Sequence, residues 1–179
     1  MKKLIVLISI ALISLATGMM ARNGWSFLEK KSQPLPPFSL SDLSGKTHDI
    51  AEWRGKVLVI NFWATWCPPC KKEIPEFIAV QKQYSSQGLQ FIGLAIDDKE
   101  AVKEYLNQAP INYPVLIAEE EGLSLAYKMG DISGTVPFTV VVNKEGQILH
   151  RHPGNFSKEQ ILEIVGPLLT NGQANQSAN

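Results

Sequence analysis

The stretch that decides the fold reads Trp63-Ala-Thr-Trp-Cys-Pro-Pro-Cys-Lys-Lys-Glu73. Its first residue is the last of Val57–Trp63, a near-continuous apolar run typical of a strand that is buried on both faces. After Cys67 the spacing of apolar residues indicates a helix to about Gln83, with two prolines in its first turn, where a missing N–H is tolerated. The cysteines therefore lie where a buried strand passes into a helix.

This position favours redox chemistry. Cys67 lies at the predicted helix start, where unpaired backbone N–H groups and the helix dipole stabilise a thiolate, the nucleophile in disulfide exchange. We expect Cys67 to be exposed and to attack first, and Cys70, one turn deeper, to resolve the mixed disulfide. A purely structural disulfide is less favoured, because a bond across so small a loop removes little entropy from the unfolded chain.

A zinc site is the other alternative for the pair. The chain has two cysteines and three histidines. The histidines His48, His150 and His152 lack zinc-finger spacing from Cys67 and Cys70. We therefore predict no metal and no cofactor other than a redox-active disulfide between the two cysteines.

The overall charge excludes one class of function. The 179 residues include 17 Lys plus Arg and 17 Asp plus Glu, so the formal net charge is zero. A nucleic-acid-binding protein needs a surplus of cations to displace counterions from phosphates. We therefore predict no nucleic-acid partner, and one domain large enough to bury a core without disulfide staples.

The N-terminus has the pattern of an export segment. After Met1-Lys-Lys, the uncharged run Leu4–Ala21 would span roughly 27 Å as a helix, just short of a bilayer core of about 30 Å. Residues 1–22 are thus either a signal peptide cleaved near residues 16–18 or a signal anchor, and the long run favours the anchor. Either way, the domain is expected to lie outside the cytoplasmic membrane, in the cell envelope. The polar, proline-rich residues 23–36 are predicted to be a linker.

Strand and helix patterns alternate through residues 37–169, which predicts an α/β domain. The polar residues 170–179 are expected to be a disordered tail. The predicted elements after the linker, besides the strand and helix at the cysteines, are a hairpin over 38–50, strands over 89–96 and 113–118, helices over 99–108 and 123–129, a hairpin over 138–151 and a final helix over 158–169.

The cysteine motif resembles that of thioredoxin-like proteins of the redoxin superfamily, specifically the TlpA/ResA-type thiol–disulfide oxidoreductases, which are exported and often membrane-anchored. The resemblance extends to three further stretches and covers about residues 35–169. It implies a thioredoxin fold with an N-terminal β-hairpin extension and a central strand–helix insertion, preceded by one signal or anchor helix. The three stretches are Phe38-Ser-Leu-Ser-Asp-Leu-Ser-Gly-Lys46, Trp53-Arg-Gly-Lys-Val-Leu-Val-Ile-Asn-Phe62 and Thr135-Val-Pro-Phe-Thr-Val-Val-Val-Asn-Lys-Glu-Gly146.

The resemblance also implies roles for individual residues. Pro137 falls at the family's cis-proline position, which would leave the Val136 backbone available to an incoming peptide beside Cys67. Glu73 shares a helix face with Cys70 and matches a carboxylate that shuttles protons in ResA-like proteins. The simpler alternatives are an ordinary edge proline and a solvated glutamate.

Two more residues, Trp66 and Pro68, adjoin Cys67 and are assigned to substrate binding together with Val136 and Pro137. Asn61 occupies the strand position where cytoplasmic thioredoxins carry a buried aspartate, so another proton acceptor is needed. The chain departs from the family between Tyr127 and Pro137, where its loop is looser than the compact segment of relatives. Because this loop borders the site, partner choice does not transfer from the family.

The leading functional prediction is dithiol–disulfide exchange with protein substrates. The resemblance implies reduction of exported proteins, apocytochrome c among the candidates, with a membrane thiol donor of the CcdA or DsbD kind. The direction of electron transfer between the protein and its substrates stays open, because the sequence does not give the reduction potential of the cysteine pair. A thiol peroxidase is disfavoured, since Ile60 and Ala64 occupy the Pro and Thr positions of the Pro-x-x-x-Thr-x-x-Cys pattern. A non-catalytic peptide-binding module is disfavoured because both cysteines are kept.

Overall fold

The computed structural model describes residues 33–174, which form one eight-stranded sheet and four α-helices. The predicted signal or anchor segment and most of the predicted linker lie outside the described residues. Strands are β1 Gln33–Pro34, β2 Ser39–Asp42, β3 Thr47–Asp49, β4 Val57–Trp63, β5 Leu89–Ala95, β6 Val115–Ile117, β7 Phe138–Val142 and β8 Gln147–Pro153. Helices are α1 Pro68–Tyr84, α2 Lys99–Gln108, α3 Glu121–Lys128 and α4 Lys158–Ala174.

The sheet has the strand order β1-β8-β7-β4-β5-β6-β2-β3. Strand β4 is parallel to β5 and antiparallel to β7, and β7 is antiparallel to β8, which is the thioredoxin core. The added strand β6 continues the sheet beyond β5, and the β2–β3 hairpin pairs with β6. The predicted fold, with its hairpin extension and its strand–helix insertion, is confirmed.

Strand β4 is buried along its whole length, which explains its continuous apolar sequence. Its even-numbered residues, such as Ile60 and Phe62, pack into a core on one face of the sheet. Val57 and Val59 pack on the other face, against Phe77 of α1. Because side chains alternate along a strand, the later odd-numbered residues of β4 point to the side of the sheet that α1 covers.

The folded part begins earlier and its last helix ends later than the sequence pattern predicts. Gln33 and Pro34, assigned to the linker, form β1 and pair with β8, because proline is compatible with an edge strand. Helix α4 continues to Ala174 instead of ending near residue 169, since each added residue contributes another backbone hydrogen bond. The first residues of the predicted disordered tail are therefore helical, and residues 175–179 lie outside the described part.

None of the helices within residues 33–174 combines the length and the apolar character that a membrane crossing requires. The anchor prediction concerns residues 1–22, which are not among those described.

Candidate active site

The two cysteines form a disulfide bond at the start of α1, with their Cα atoms 5.4 Å apart. Cys67 is the N-cap residue, and its Sγ accepts a hydrogen bond from the backbone N–H of Cys70 at 3.2 Å. The prolines Pro68 and Pro69 fill the first helical positions, where no N–H is required. After reduction, the same N–H and the helix dipole stabilise negative charge on Cys67.

The expectation that Cys67 is exposed is wrong for this disulfide-bonded form. Cys67 is only 3 % exposed and Cys70 is fully buried. The sulfur of Cys67 is bonded to Cys70 and lies 3.7 Å from the carbonyl oxygen of Val136. The neighbouring Trp66 is 65 % exposed, so the surface at the dithiol is formed largely by residues beside the cysteines.

The segment opposite the dithiol contains the predicted cis-proline. The peptide bond between Val136 and Pro137 is cis, which confirms the predicted cis conformation; a role of Pro137 in substrate binding stays a prediction. Strand β7 begins directly after it, and Gly154 N–H donates to the Pro137 carbonyl at 2.8 Å. In residues 33–174 no hydrogen bond uses the N–H of Val136, so this N–H can donate to a peptide beside Cys67.

Glu73 lies on α1, three residues after Cys70, and is only 1 % exposed, so the solvated alternative is wrong. Its Oε1 accepts from Asn61 Nδ2 at 2.8 Å, and its Oε2 accepts from the backbone N–H of Phe156 at 2.9 Å. Burial raises the pKa of Glu73 from its ordinary 4.5 to about 7, although both hydrogen bonds favour the charged form. A catalytic role for Glu73 stays a prediction.

The two hydrogen-bond partners of Glu73, Phe156 and Asn61, determine which of its carboxyl oxygens can hold a proton. The N–H of Phe156 is a fixed donor, so Oε2 of Glu73 must remain an acceptor. An added proton therefore lies on Oε1, where it faces the Nδ2 donor of Asn61. A half-turn of the Asn61 amide replaces that donor with Oδ1, a buried atom that lacks a hydrogen-bond partner among the described residues.

After this half-turn, Oδ1 of Asn61 also faces the hydroxyl of Thr139, which now accepts from Nδ2 at 3.0 Å. A hydroxyl rotates and serves as donor or acceptor. Asn61 can thus pair with Glu73 in both of its protonation states, and the Thr139 hydroxyl can adapt to either orientation of the amide.

The loop before the cysteines is held by a residue that sequence reasoning assigned differently. The sequence pattern favours a helix cap over a catalytic pair for Asp97 and Asp98, but only Asp98 caps α2, by accepting from Ala101 N–H at 2.9 Å. Asp97 Oδ2 instead accepts from the N–H of Thr65 at 3.0 Å and from its hydroxyl at 2.6 Å. The strand pattern could have indicated this contact between Asp97 and Thr65. Because β4 and β5 are parallel neighbours, the loops that follow them meet at one edge of the sheet.

Phe156 is the other site residue that sequence reasoning missed. It is fully buried, and its ring stacks on His152 with centroids 4.3 Å apart. This packing holds the Phe156 N–H against Glu73. His150, which like His152 had no assigned role, also stacks on Phe156. Within residues 33–174, no cluster of three or more His, Cys, Asp or Glu side chains is placed to hold a metal ion.

Comparisons with known proteins agree with this geometry. The sequence profile of the Redoxin family matches residues 30–165. A relative from Bacillus anthracis, named thiol-disulfide oxidoreductase ResA, is 31 % identical over 159 residues, which cover 86 % of this chain and 89 % of the relative. A protein of the same name from Bacillus subtilis is 31 % identical over 141 residues and 76 % of each chain.

Solved structures agree as well. A thiol:disulfide interchange protein of the thioredoxin family from Chlorobium tepidum is 34 % identical, with a TM-score of 0.70 over 79 % of this chain and 99 % of that one. A secreted thiol-disulfide isomerase from Corynebacterium glutamicum, 18 % identical with a TM-score of 0.70 over 79 % of this chain and 89 % of that one, has the same fold.

Proposed function

This chain is a thiol–disulfide oxidoreductase that belongs to the redoxin family, alongside its ResA relatives, and from that premise we propose that it reduces disulfide bonds in exported proteins. The observation that carries the proposal is the position of Cys67. Its Sγ accepts the Cys70 N–H at the helix start and lies 3.7 Å from Val136, next to the backbone N–H that is available to a peptide.

The reaction begins with the reduced dithiol. The Cys67 thiolate attacks one sulfur of the substrate disulfide, that S–S bond breaks, and the departing substrate thiolate takes a proton. Cys70 then loses its proton and attacks Cys67 Sγ in the mixed disulfide. The Cys67–Cys70 bond forms, the second substrate thiol leaves, and two electrons have passed from the protein to its substrate.

Glu73 is proposed to accept the Cys70 proton. Cys70 is fully buried, so bulk water is a poor acceptor for it, and Glu73 lies three residues further on, on the same helix face. A carboxyl group whose pKa is raised by burial to about 7 gains and loses a proton readily near neutral pH. We also propose that the substrate contacts four residues around Cys67, namely Trp66, Pro68, Val136 and Pro137.

The disulfide must be reduced again after each turnover. We propose a membrane thiol donor of the CcdA or DsbD kind and, as one substrate, apocytochrome c before haem attachment. The apolar run at residues 4–21 supports a membrane-anchored protein with its domain on the extracytoplasmic side. Carbonate extraction of membranes tests this location, because an anchored chain stays with the membrane pellet and a cleaved one is released.

Insulin reduction in the presence of dithiothreitol tests the activity. The wild-type chain is expected to accelerate insulin precipitation, and Cys67→Ser to reduce the rate to that of dithiothreitol alone. Undiminished activity in Cys67→Ser would remove Cys67 as the nucleophile. Peroxide consumption that exceeds disulfide reduction in the same preparation would favour a thiol peroxidase instead. The equilibrium potential against glutathione then decides between reductant and oxidant.

A further inference from the structure

The carboxylate of Asp97 is a negative charge held against the loop that leads to Cys67. Its Oδ2 accepts both hydrogen bonds from Thr65, and its Oδ1 accepts from the N–H of Asp98 at 2.9 Å. Asp97 is half-buried, and none of the ion pairs within residues 33–174 includes it. Neutral donors therefore hold this charge in place, and no ion pair cancels it.

The charge lies close to Cys67 in space. The Cys67 N–H donates to the carbonyl oxygen of Ala64 at 3.2 Å. The carbonyl carbon of Ala64 is bonded to the nitrogen of Thr65, whose N–H donates to Asp97 Oδ2 at 3.0 Å. Adding standard bond lengths to these two hydrogen bonds places Cys67 Sγ at most about 13 Å from Asp97 Oδ2.

Apolar side chains pack beside this path. Ala64 and Cys67 belong to a buried cluster that also contains Trp63 and Ala95, the latter two residues before Asp97. Because water is excluded from the cluster, a charge at its border is screened less than it would be in bulk water. With an effective dielectric constant of about 20, a unit charge about 13 Å away changes the ratio of thiolate to thiol about tenfold.

The other charged groups around the dithiol are placed differently. Lys71 and Lys72 on α1 are exposed, so solvent and salt screen their charges. Glu73 on α1 is buried, and its pKa of about 7 leaves it partly neutral near neutral pH. The segment 132–137, opposite the dithiol, has no charged side chain. Asp97 thus combines a fixed position with a charge that solvent only partly screens.

We propose that Asp97 is a positioning residue whose negative charge disfavours the thiolate form of Cys67 and thereby makes the dithiol a stronger reductant. The disulfide between Cys67 and Cys70 carries no charge, so Asp97 raises the free energy of the reduced form alone. A less stable reduced form passes its two electrons more readily to a substrate disulfide. Asp97 forms no bond in the exchange. The inference rests on the proposed dithiol exchange and gives a physical reason for its direction.

Redox equilibria of three matched variants test the inference. Asp97→Asn removes the charge and keeps an oxygen for the Thr65 N–H, whereas Asp97→Glu keeps the charge. Glu145→Gln removes one negative charge from the exposed β7–β8 turn, which the five residues of β7 separate from Pro137 by about 17 Å. Full-length chains in mild detergent are equilibrated with glutathione buffers at pH 8, and alkylation after acid quenching gives the oxidised fraction. The rate of iodoacetamide alkylation of the reduced chains across pH reports the thiolate of Cys67.

Asp97→Asn is expected to shift the equilibrium with glutathione about tenfold toward the reduced dithiol, which corresponds to a reduction potential about 30 mV higher. Its alkylation profile should move by about one unit toward lower pH. Asp97→Glu should stay close to wild type in both measurements. Glu145→Gln should as well, because its charge is distant and screened.

Distinct outcomes separate the inference from the proposed function. A potential in Asp97→Asn equal to that of wild type overturns the role of the charge. An equal shift in Asp97→Glu would assign the effect to packing, and an equal shift in Glu145→Gln would assign it to net charge, so either result also overturns the inference. A wild-type dithiol that stays reduced in buffers rich in oxidised glutathione marks an oxidant and overturns the proposed function. The difference between Asp97→Asn and wild type would then still measure the effect of Asp97.

Discussion

Replacing Glu73 with glutamine should make the protein's stability less dependent on pH. Glu73 titrates near 4.5 in the unfolded chain, whereas burial raises its pKa to about 7 in the folded one. Between these values the folded state binds a proton that the unfolded state does not bind. The free energy of unfolding is therefore highest, as far as Glu73 is concerned, below pH 4.5, and it falls as the pH rises to about 7.

The size of this effect follows from the two pKa values. Each pH unit between them corresponds to 1.36 kcal/mol, so Glu73 lowers the stability by about 3 kcal/mol between pH 4.5 and 7.5. Glutamine is neutral throughout and keeps an oxygen and an N–H at the same position. Relative to wild type, Glu73→Gln should therefore gain about 3 kcal/mol across this range.

Urea unfolding of the oxidised protein at pH 4.5, 6 and 8 measures this difference. Comparison at each pH cancels the other titrating groups, which the two proteins share. Glu163→Gln, an exposed change on α4, controls for the loss of a charge and should follow wild type at every pH. A stability difference between Glu73→Gln and wild type that stays constant from pH 4.5 to 8 would refute the argument that Glu73 is buried with a raised pKa.

Two other substitutions test the neighbours of the dithiol. Asp97→Ala removes the acceptor of two hydrogen bonds from Thr65. It should lower the free energy of unfolding in urea by about 1–3 kcal/mol and should slow insulin reduction. Asp97→Asn keeps one oxygen and should lower the free energy of unfolding by less. Asn61→Leu removes a donor that favours ionised Glu73 and should raise the pKa of Glu73 by about one pH unit in a carboxyl ¹³C NMR titration. A lower or unchanged pKa would contradict the role given to Asn61.

Much of the fold could be predicted from sequence because its signals are local. The apolar run of β4, the prolines after Cys67 and the apolar spacing of α1 lie within one continuous stretch. The Asp98 cap also depends on neighbouring residues alone. The strand–helix junction and its cysteine pair therefore follow from the order of residues. The cis-proline assignment at Pro137 required the resemblance to a family, since an isolated proline is compatible with either isomer.

The tertiary structure alone decided how the dithiol is surrounded. Glu73 meets Asn61 across 12 residues and Phe156 across 83, and Asp97 meets Thr65 across 32. No local pattern encodes such contacts, because they depend on which strands are neighbours and where the loops at their ends meet. Burial of Glu73, and with it the rise of its pKa, is a property of the packed sheet and helices. The sequence thus determined which groups can exchange a disulfide, and packing determined how one of them can hold a proton.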